Sequence, residues 1–216
     1  MSEITVEVWS DLVCPWCYIG KRRLERALAD FDGRDEVRVV WRSYQLDPEA
    51  PATADLTLPA HLTERQGLPP EQVAEMLGRV TGIAEGDGLA YRLAEARPAN
   101  TFDAHRLVHH AAGLGLGAAV QERLLAAYAQ EGIALAGHET LARLAAEAGC
   151  DEAAARRALA NGDHADAVRE DIATARQLGI TGVPAFVLDR AFLVSGAQPA
   201  EAFGRVLREL HTRGAA

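Results

Sequence analysis

The chain has 216 residues, 49% hydrophobic and 25% charged, enough to bury a substantial core. Its net charge of −9, with no basic run longer than Lys21–Arg23, argues against nucleic-acid or anionic-membrane binding. No apolar run reaches the length of a bilayer span, and the acidic start MSEITVEVWSD lacks the basic-then-apolar order of a secretory leader, so a cytoplasmic protein is expected.

Residues 3–9, EITVEVW, alternate polar and apolar and put Ile4, Val6 and Val8 on one face, the period of a strand. From Tyr18 the apolar residues Ile19, Leu24, Ala27, Leu28 and Phe31 mark an amphipathic helix, for which Gly33 is the expected C-terminal cap. Residues 36–44, EVRVVWRSY, read as a second strand, so the chain opens β-α-β. A connector rich in proline follows (Pro48, Pro51, Pro59), and then the period changes. Val73, Met76, Leu77 and Val80 recur at helical spacing, as do the apolar residues near Leu107, from Val120 to Tyr128, from Leu141 to Ala148 and from Ala165 to Ala175. Caps are expected at Asn100 or Thr101 and at Asp151. Residues 55–178 therefore read as an all-helical subdomain inserted between 1–54 and 179–216. GLGLG (113–117) follows a helical segment and lacks dinucleotide-loop spacing, so it is expected to be a turn between helices. Near the end, PAFVLD and AFLVSG flank Asp189–Arg190 as a hairpin, and a last helix runs from about Pro199 to Thr212.

Of three cysteines, Cys14 and Cys17 fall where the first strand gives way to the first helix, with Pro15 and Trp16 between them. The free amides and dipole of a helix N-terminus favour negative charge, so a thiol at Cys14 is expected to be partly thiolate, the reactive form. Cys17, one turn on, can close a small disulfide ring with it. The competing readings are two small core residues or half of a zinc site. Zinc would want two further ligands at matching spacing, but Cys150 is isolated, and His105 and His109, though at i and i+4, have no adjoining Glu. Cys150 itself reads as a small apolar residue. Gly182-Val183-Pro184, just before a strand, invites a cis peptide; with an upstream CxxC and the β-α-β…β-β-α order it points to a thioredoxin-type loop beside the dithiol.

These motifs, with CPWCYIGKRR (14–23), ANTFDAHRL (99–107) and SGAQP (195–199), resemble the DsbA-like thioredoxin-fold oxidoreductases, and among them the cytoplasmic FrnE-type branch. The resemblance spans nearly the whole chain. It implies an α/β thioredoxin fold with a large all-helical insertion. It also implies Cys14 as nucleophile, Cys17 as resolving cysteine and Pro184 as a cis-proline preceded by Val183. Pro15 and Trp16 would border the substrate, and Asn100, Thr101, His105 and Arg106 would line the insertion over the dithiol. One departure is Trp16, where periplasmic oxidases often carry His. The fold also includes kappa-class glutathione transferases and hydroxychromene-carboxylate isomerases, which often have Ser where Cys14 stands.

The expected function is thiol-disulfide oxidoreduction through a mixed disulfide, on a protein or small-molecule substrate, with no resident cofactor and with glutathione as a conceivable co-substrate. The alternatives are a glutathione-dependent transferase or isomerase acting on a small aromatic molecule, and a binding or metal-carrying protein. The Ala-rich segments LLAAYAQEGIALAG and EAAARRALANG suit either close internal packing or a homodimer contact.

Overall fold

Ile4, Val6 and Val8 do share one face of the first strand, β1 (Ile4–Ser10), and Thr5, Glu7 and Trp9 share the other. The computed structural model describes residues 3–214. Residues up to 46 and from 171 onward make one compact unit, and residues 47–170 make another.

In the first unit β1 leads into α1 (Pro15–Ala29), a 3-10 turn (Arg34–Glu36) and β2 (Val37–Ser43). The chain returns as β3 (Ala185–Leu188), β4 (Phe192–Ser195) and a final helix, α9 (Ala200–Gly214). The sheet order is β2-β1-β3-β4. β1 and β2 are parallel, with Ile4 opposite Val37 and Ser10 opposite Ser43. β3 is antiparallel to β1, and β4 to β3. The turn from β3 to β4 has Asp189 and Arg190 both at positive φ (49° and 53°), which matches the twist of a hairpin. Asp189 Oδ1 accepts the Thr5 amide at 2.7 Å and so ties this turn to β1.

One face of the sheet carries the apolar core: Ile4, Val6, Val8, Phe186 and Leu188 meet Leu24 and Ala27 of α1, Phe31 just after it, and Phe203, Leu207 and Leu210 of α9. The Phe186 and Phe203 rings cross edge-on with centroids 4.6 Å apart. The opposite face is mixed. Trp9 packs with Ala175, Ile180, Ala185 and Val187, while Glu7 accepts hydrogen bonds from Arg42 (2.7 Å) and Arg190 (3.2 Å). Asp171 accepts from Arg42 (3.1 Å) and from the Ser43 amide (2.8 Å), and its carbonyl accepts from the Trp9 indole (2.9 Å).

The second unit holds α2 (Leu58–Gln66), α3 (Pro70–Gly86), α4 (Phe102–Ala112), α5 (Gly117–Ala129), α6 (His138–Glu147) and α7 (Glu152–Asn161). α8 (Ala165–Gln177) begins within it and ends in the first unit. The insertion expected at 55–178 therefore begins and ends later in the chain than the division the structure makes. The reason lies in Asp171, which bonds Trp9 of β1 and Arg42 and Ser43 of β2. Leu124, Leu125, Ala127, Tyr128, Ala129, Ala155, Ala158 and Leu159, from the Ala-rich segments, are buried.

Asp151 caps α7 as expected, accepting the Ala154 amide at 2.6 Å. Thr101 occupies the cap position of α4, but the side chain that serves this end is Asn100, whose Oδ1 accepts the Phe102 amide. GLGLG is the turn from α4 to α5, with Gly115 at φ 75°. Gly33 is not the cap of α1: the helix ends at Ala29, Asp30 closes it, and Gly33 has φ −89°. Space is tight there, since a Cβ would lie 3.0 Å from the Phe31 ring and 3.1 Å from His211.

Candidate active site

β1 ends at Ser10 and the next four residues turn the chain into α1. The Asp11 carbonyl accepts the Cys14 amide at 3.1 Å, and the Asp11 carboxylate accepts the Leu46 amide at 2.8 Å. The turn is thereby fixed to the segment leaving β2. Cys14 takes the N-cap position with extended backbone (φ −87°, ψ 115°), and no side chain caps the helix. Pro15 follows within the first turn, where its missing N–H costs nothing. The Cys14 carbonyl accepts the Cys17 amide at 3.0 Å.

All three cysteines are thiols. Cys14 and Cys17 are hydrogen-bonded to one another. Cys14 is 5% exposed and Cys17 1%, whereas Trp16 between them is 38% exposed. The Cys14 thiol points at the Val183 carbonyl, 3.7 Å away. The Val183–Pro184 bond is cis. Pro184 lies against α1, because a Cβ added to Gly20 would come within 2.9 Å of its ring and 3.1 Å of Phe186. Cys14, Cys17, Val183 and Pro184 thus converge in the first unit, as the sequence suggested.

Cys17 is held as a thiol. Burial raises its pKa well above the usual thiol range, and the neighbouring Cys14 raises it further. Two donors oppose this: the Ser10 hydroxyl and the Asp11 amide, the latter 3.4 Å from the sulfur. Both lie within four residues of Cys14, yet in the sequence they read only as the end of a strand. Cys150, buried after α6, also has a raised pKa from desolvation, in keeping with a small apolar residue.

Asn100, Thr101, His105 and Arg106 belong to the helical unit. Asn100 Nδ2 donates to the carbonyls of Pro48 (2.8 Å) and Ala50 (3.3 Å). Thr101 and His105 are buried. Arg106 is engaged throughout: it donates to the carbonyls of Ala158, Leu159 and Asp163 and to the Asp103 carboxylate. Its planar fork joins α4 to the end of α7, a packing role rather than a lining one. A cavity of about 760 Å³ also lies in this unit, between α2 and α3, but its lining includes none of these four residues and no cysteine. Among the described residues no group of three His, Cys, Asp or Glu side chains could hold a metal ion, and no helix is long and apolar enough to cross a membrane.

This geometry agrees with what the chain is similar to. A probable DsbA oxidoreductase from Streptomyces coelicolor is 42% identical, with a TM-score of 0.91 over 95% of this chain and 89% of that one. The cytosolic disulfide reductase DsbM from Pseudomonas aeruginosa, solved with glutathione, is 24% identical, with a TM-score of 0.64 over 96% and 99% of the two chains. A 2-hydroxychromene-2-carboxylate isomerase shares the fold at 17% identity and a TM-score of 0.72, covering 98% of each chain. Residues 5–208 match the DSBA-like thioredoxin domain, and the chain belongs to that family of thiol oxidoreductases.

Proposed function

We propose that the protein is a thiol-disulfide oxidoreductase in which Cys14 attacks and Cys17 resolves. The observation that carries this reading is the pairing of two hydrogen-bonded thiols at the N-terminus of α1 with the Val183 carbonyl 3.7 Å from the Cys14 sulfur. The Cys14 thiolate attacks one sulfur of a substrate disulfide and a substrate thiolate leaves. Cys17 then attacks the Cys14 sulfur, forming the Cys14–Cys17 disulfide and releasing the second substrate sulfur as a thiol. Two electrons pass from the protein to the substrate, and the reverse sequence oxidises a dithiol.

The order follows from position. Cys14 occupies the N-cap position beside exposed Trp16, whereas Cys17 is more deeply buried and ionises reluctantly. Backbone beside Val183 and Pro184, with Pro15 and Trp16, would receive the substrate. Glutathione fits as the thiol that returns Cys14–Cys17 to the reduced state, a use suggested by DsbM having been solved with it. A cytoplasmic setting supports the same choice, since thiols there are kept reduced.

The test is insulin reduction with a thiol as electron source. Cys14→Ser should abolish turnover, and Cys17→Ala should halt it at a trapped mixed disulfide; full activity in Cys14→Ser rejects the reading. The fold shared with a chromene-carboxylate isomerase supports a second reading, in which Cys14 serves a glutathione-dependent isomerisation. Turnover of a small aromatic substrate that survives Cys17→Ala would favour it.

A further inference from the structure

The sulfur that the proposed cycle uses second is the one at which two donors converge. Ser10 ends β1, is 1% exposed, and hydrogen-bonds the Cys17 sulfur through its hydroxyl. The Asp11 amide reaches the same sulfur at 3.4 Å. Both donors are held from outside the helix. The Ser10 carbonyl accepts the Tyr44 amide at 3.2 Å, Ser10 stands opposite Ser43 in the sheet, and Asp11 bonds the Cys14 and Leu46 amides. The donors therefore do not have to reorganise when charge appears on Cys17.

A hydrogen bond to sulfur favours thiolate over thiol, because the charged acceptor binds the donor more strongly. In the reduced protein, burial and Cys14 together oppose ionisation of Cys17. In the mixed disulfide Cys14 no longer carries charge. Burial is then the main obstacle, and the Ser10 and Asp11 donors are what offset it.

We infer that Ser10 is a positioning residue for the resolving step: its hydroxyl stabilises the Cys17 thiolate as it attacks the Cys14–substrate disulfide. The inference rests on the dithiol reading above. In this step the Cys17 thiol gives its proton to water and its sulfur bonds to Cys14 Sγ. The bond from Cys14 to the substrate sulfur breaks, and the departing thiolate takes a proton from solvent. Cys17 is oxidised and the substrate sulfur is reduced.

Dithiobis(nitrobenzoate) separates the two steps, since reduced protein releases one nitrothiobenzoate when Cys14 attacks and a second when Cys17 resolves. The measurement uses the full chain with Cys150→Ala, so that only the pair reports. Ser10→Thr keeps the hydroxyl and Ser10→Val matches its shape without one, so any cost of the added methyl is common to both. The second release is expected to be roughly tenfold slower in the Val variant than in the Thr variant near neutral pH. Its pH midpoint should move upward, with the first release unchanged. Equal second phases with equal pH midpoints in the two variants would overturn the assignment. A protein with Ser10 intact that releases only one equivalent would instead overturn the dithiol reading itself, and the role of Ser10 with it.

Discussion

The two faces of the sheet are built on different principles. The face under α1 and α9 is apolar over most of its length, filled by Val6, Val8, Phe186, Phe203 and Leu207, and turns polar only at the strand ends, at Ser10 and Ser43. The other face holds Trp9 among apolar neighbours but also Glu7, Arg42, Asp171 and Arg190. The apolar face gives non-directional stabilisation that scales with buried area. The polar face gives direction. Asp171 bonds Trp9, Arg42 and Ser43, at the C-terminal ends of β1 and β2. Those strand ends carry Ser10 and the Tyr44–Leu46 segment that holds Asp11. Stability and alignment are thus largely assigned to opposite sides of one sheet.

That division can be broken experimentally. Phe203→Ala removes a fully buried ring from the apolar face and should cost about 3–5 kcal/mol, read by denaturant unfolding. Below its melting range this variant should keep wild-type thiol kinetics; a change in kinetics there would show that the faces are not separable. Asp171→Ala removes the carboxylate that accepts from the buried Ser43 amide and from Arg42, and should cost about 2 kcal/mol. Unlike Phe203→Ala, it should also slow both thiol steps while the protein is folded. Gly20→Ala sets a methyl against Pro184 and Phe186 and should cost about 1–3 kcal/mol. Its effect on Cys14 alkylation should exceed that of Phe203→Ala, because the displaced residue adjoins Val183.

The smallest effect lies outside the sheet. His164 has its pKa lowered, chiefly by desolvation and then by His110 and His109, against the pull of Asp163 and with Arg106 adding repulsion. A histidine with a depressed folded pKa contributes stability above its unfolded value, about 6.5, that is lost as pH falls through the folded one. His164→Asn tolerates the left-handed backbone (φ 64°) and removes the charge. It should flatten the decline in melting temperature between about pH 7 and 5; an unchanged decline would assign the acid sensitivity elsewhere.

The contrast between the faces also explains what could be read in advance. The alternation of β1, the helical spacing after Tyr18 and the hairpin at Asp189–Arg190 are local signals, and each element is present, although α1 ends at Ala29, short of Phe31 and Gly33. The convergence of Cys14 and Val183 was legible because two short motifs flank one sheet. The polar face was not legible. Asp171 sits in REDIATARQ as one more acidic residue of an amphipathic helix, and its partners Arg42 and Ser43 lie well over a hundred residues away. Arg106 misled for the same reason: the motif containing it suggested a lining residue, whereas carbonyls from α7 and the turn after it take its donors. Hydrogen-bond partners distant in sequence leave no periodic trace.

β2 has a strand neighbour on one side only among the described residues, so a row of backbone groups ends at that margin. An open margin of this kind is a template for fibre growth. Here Arg38 and Arg42, four residues apart on one face of β2, are each matched to a carboxylate, Glu3 and Glu7. Charge placed on an edge strand disfavours the addition of a foreign strand, so these two ion pairs sit where edge-to-edge association would begin.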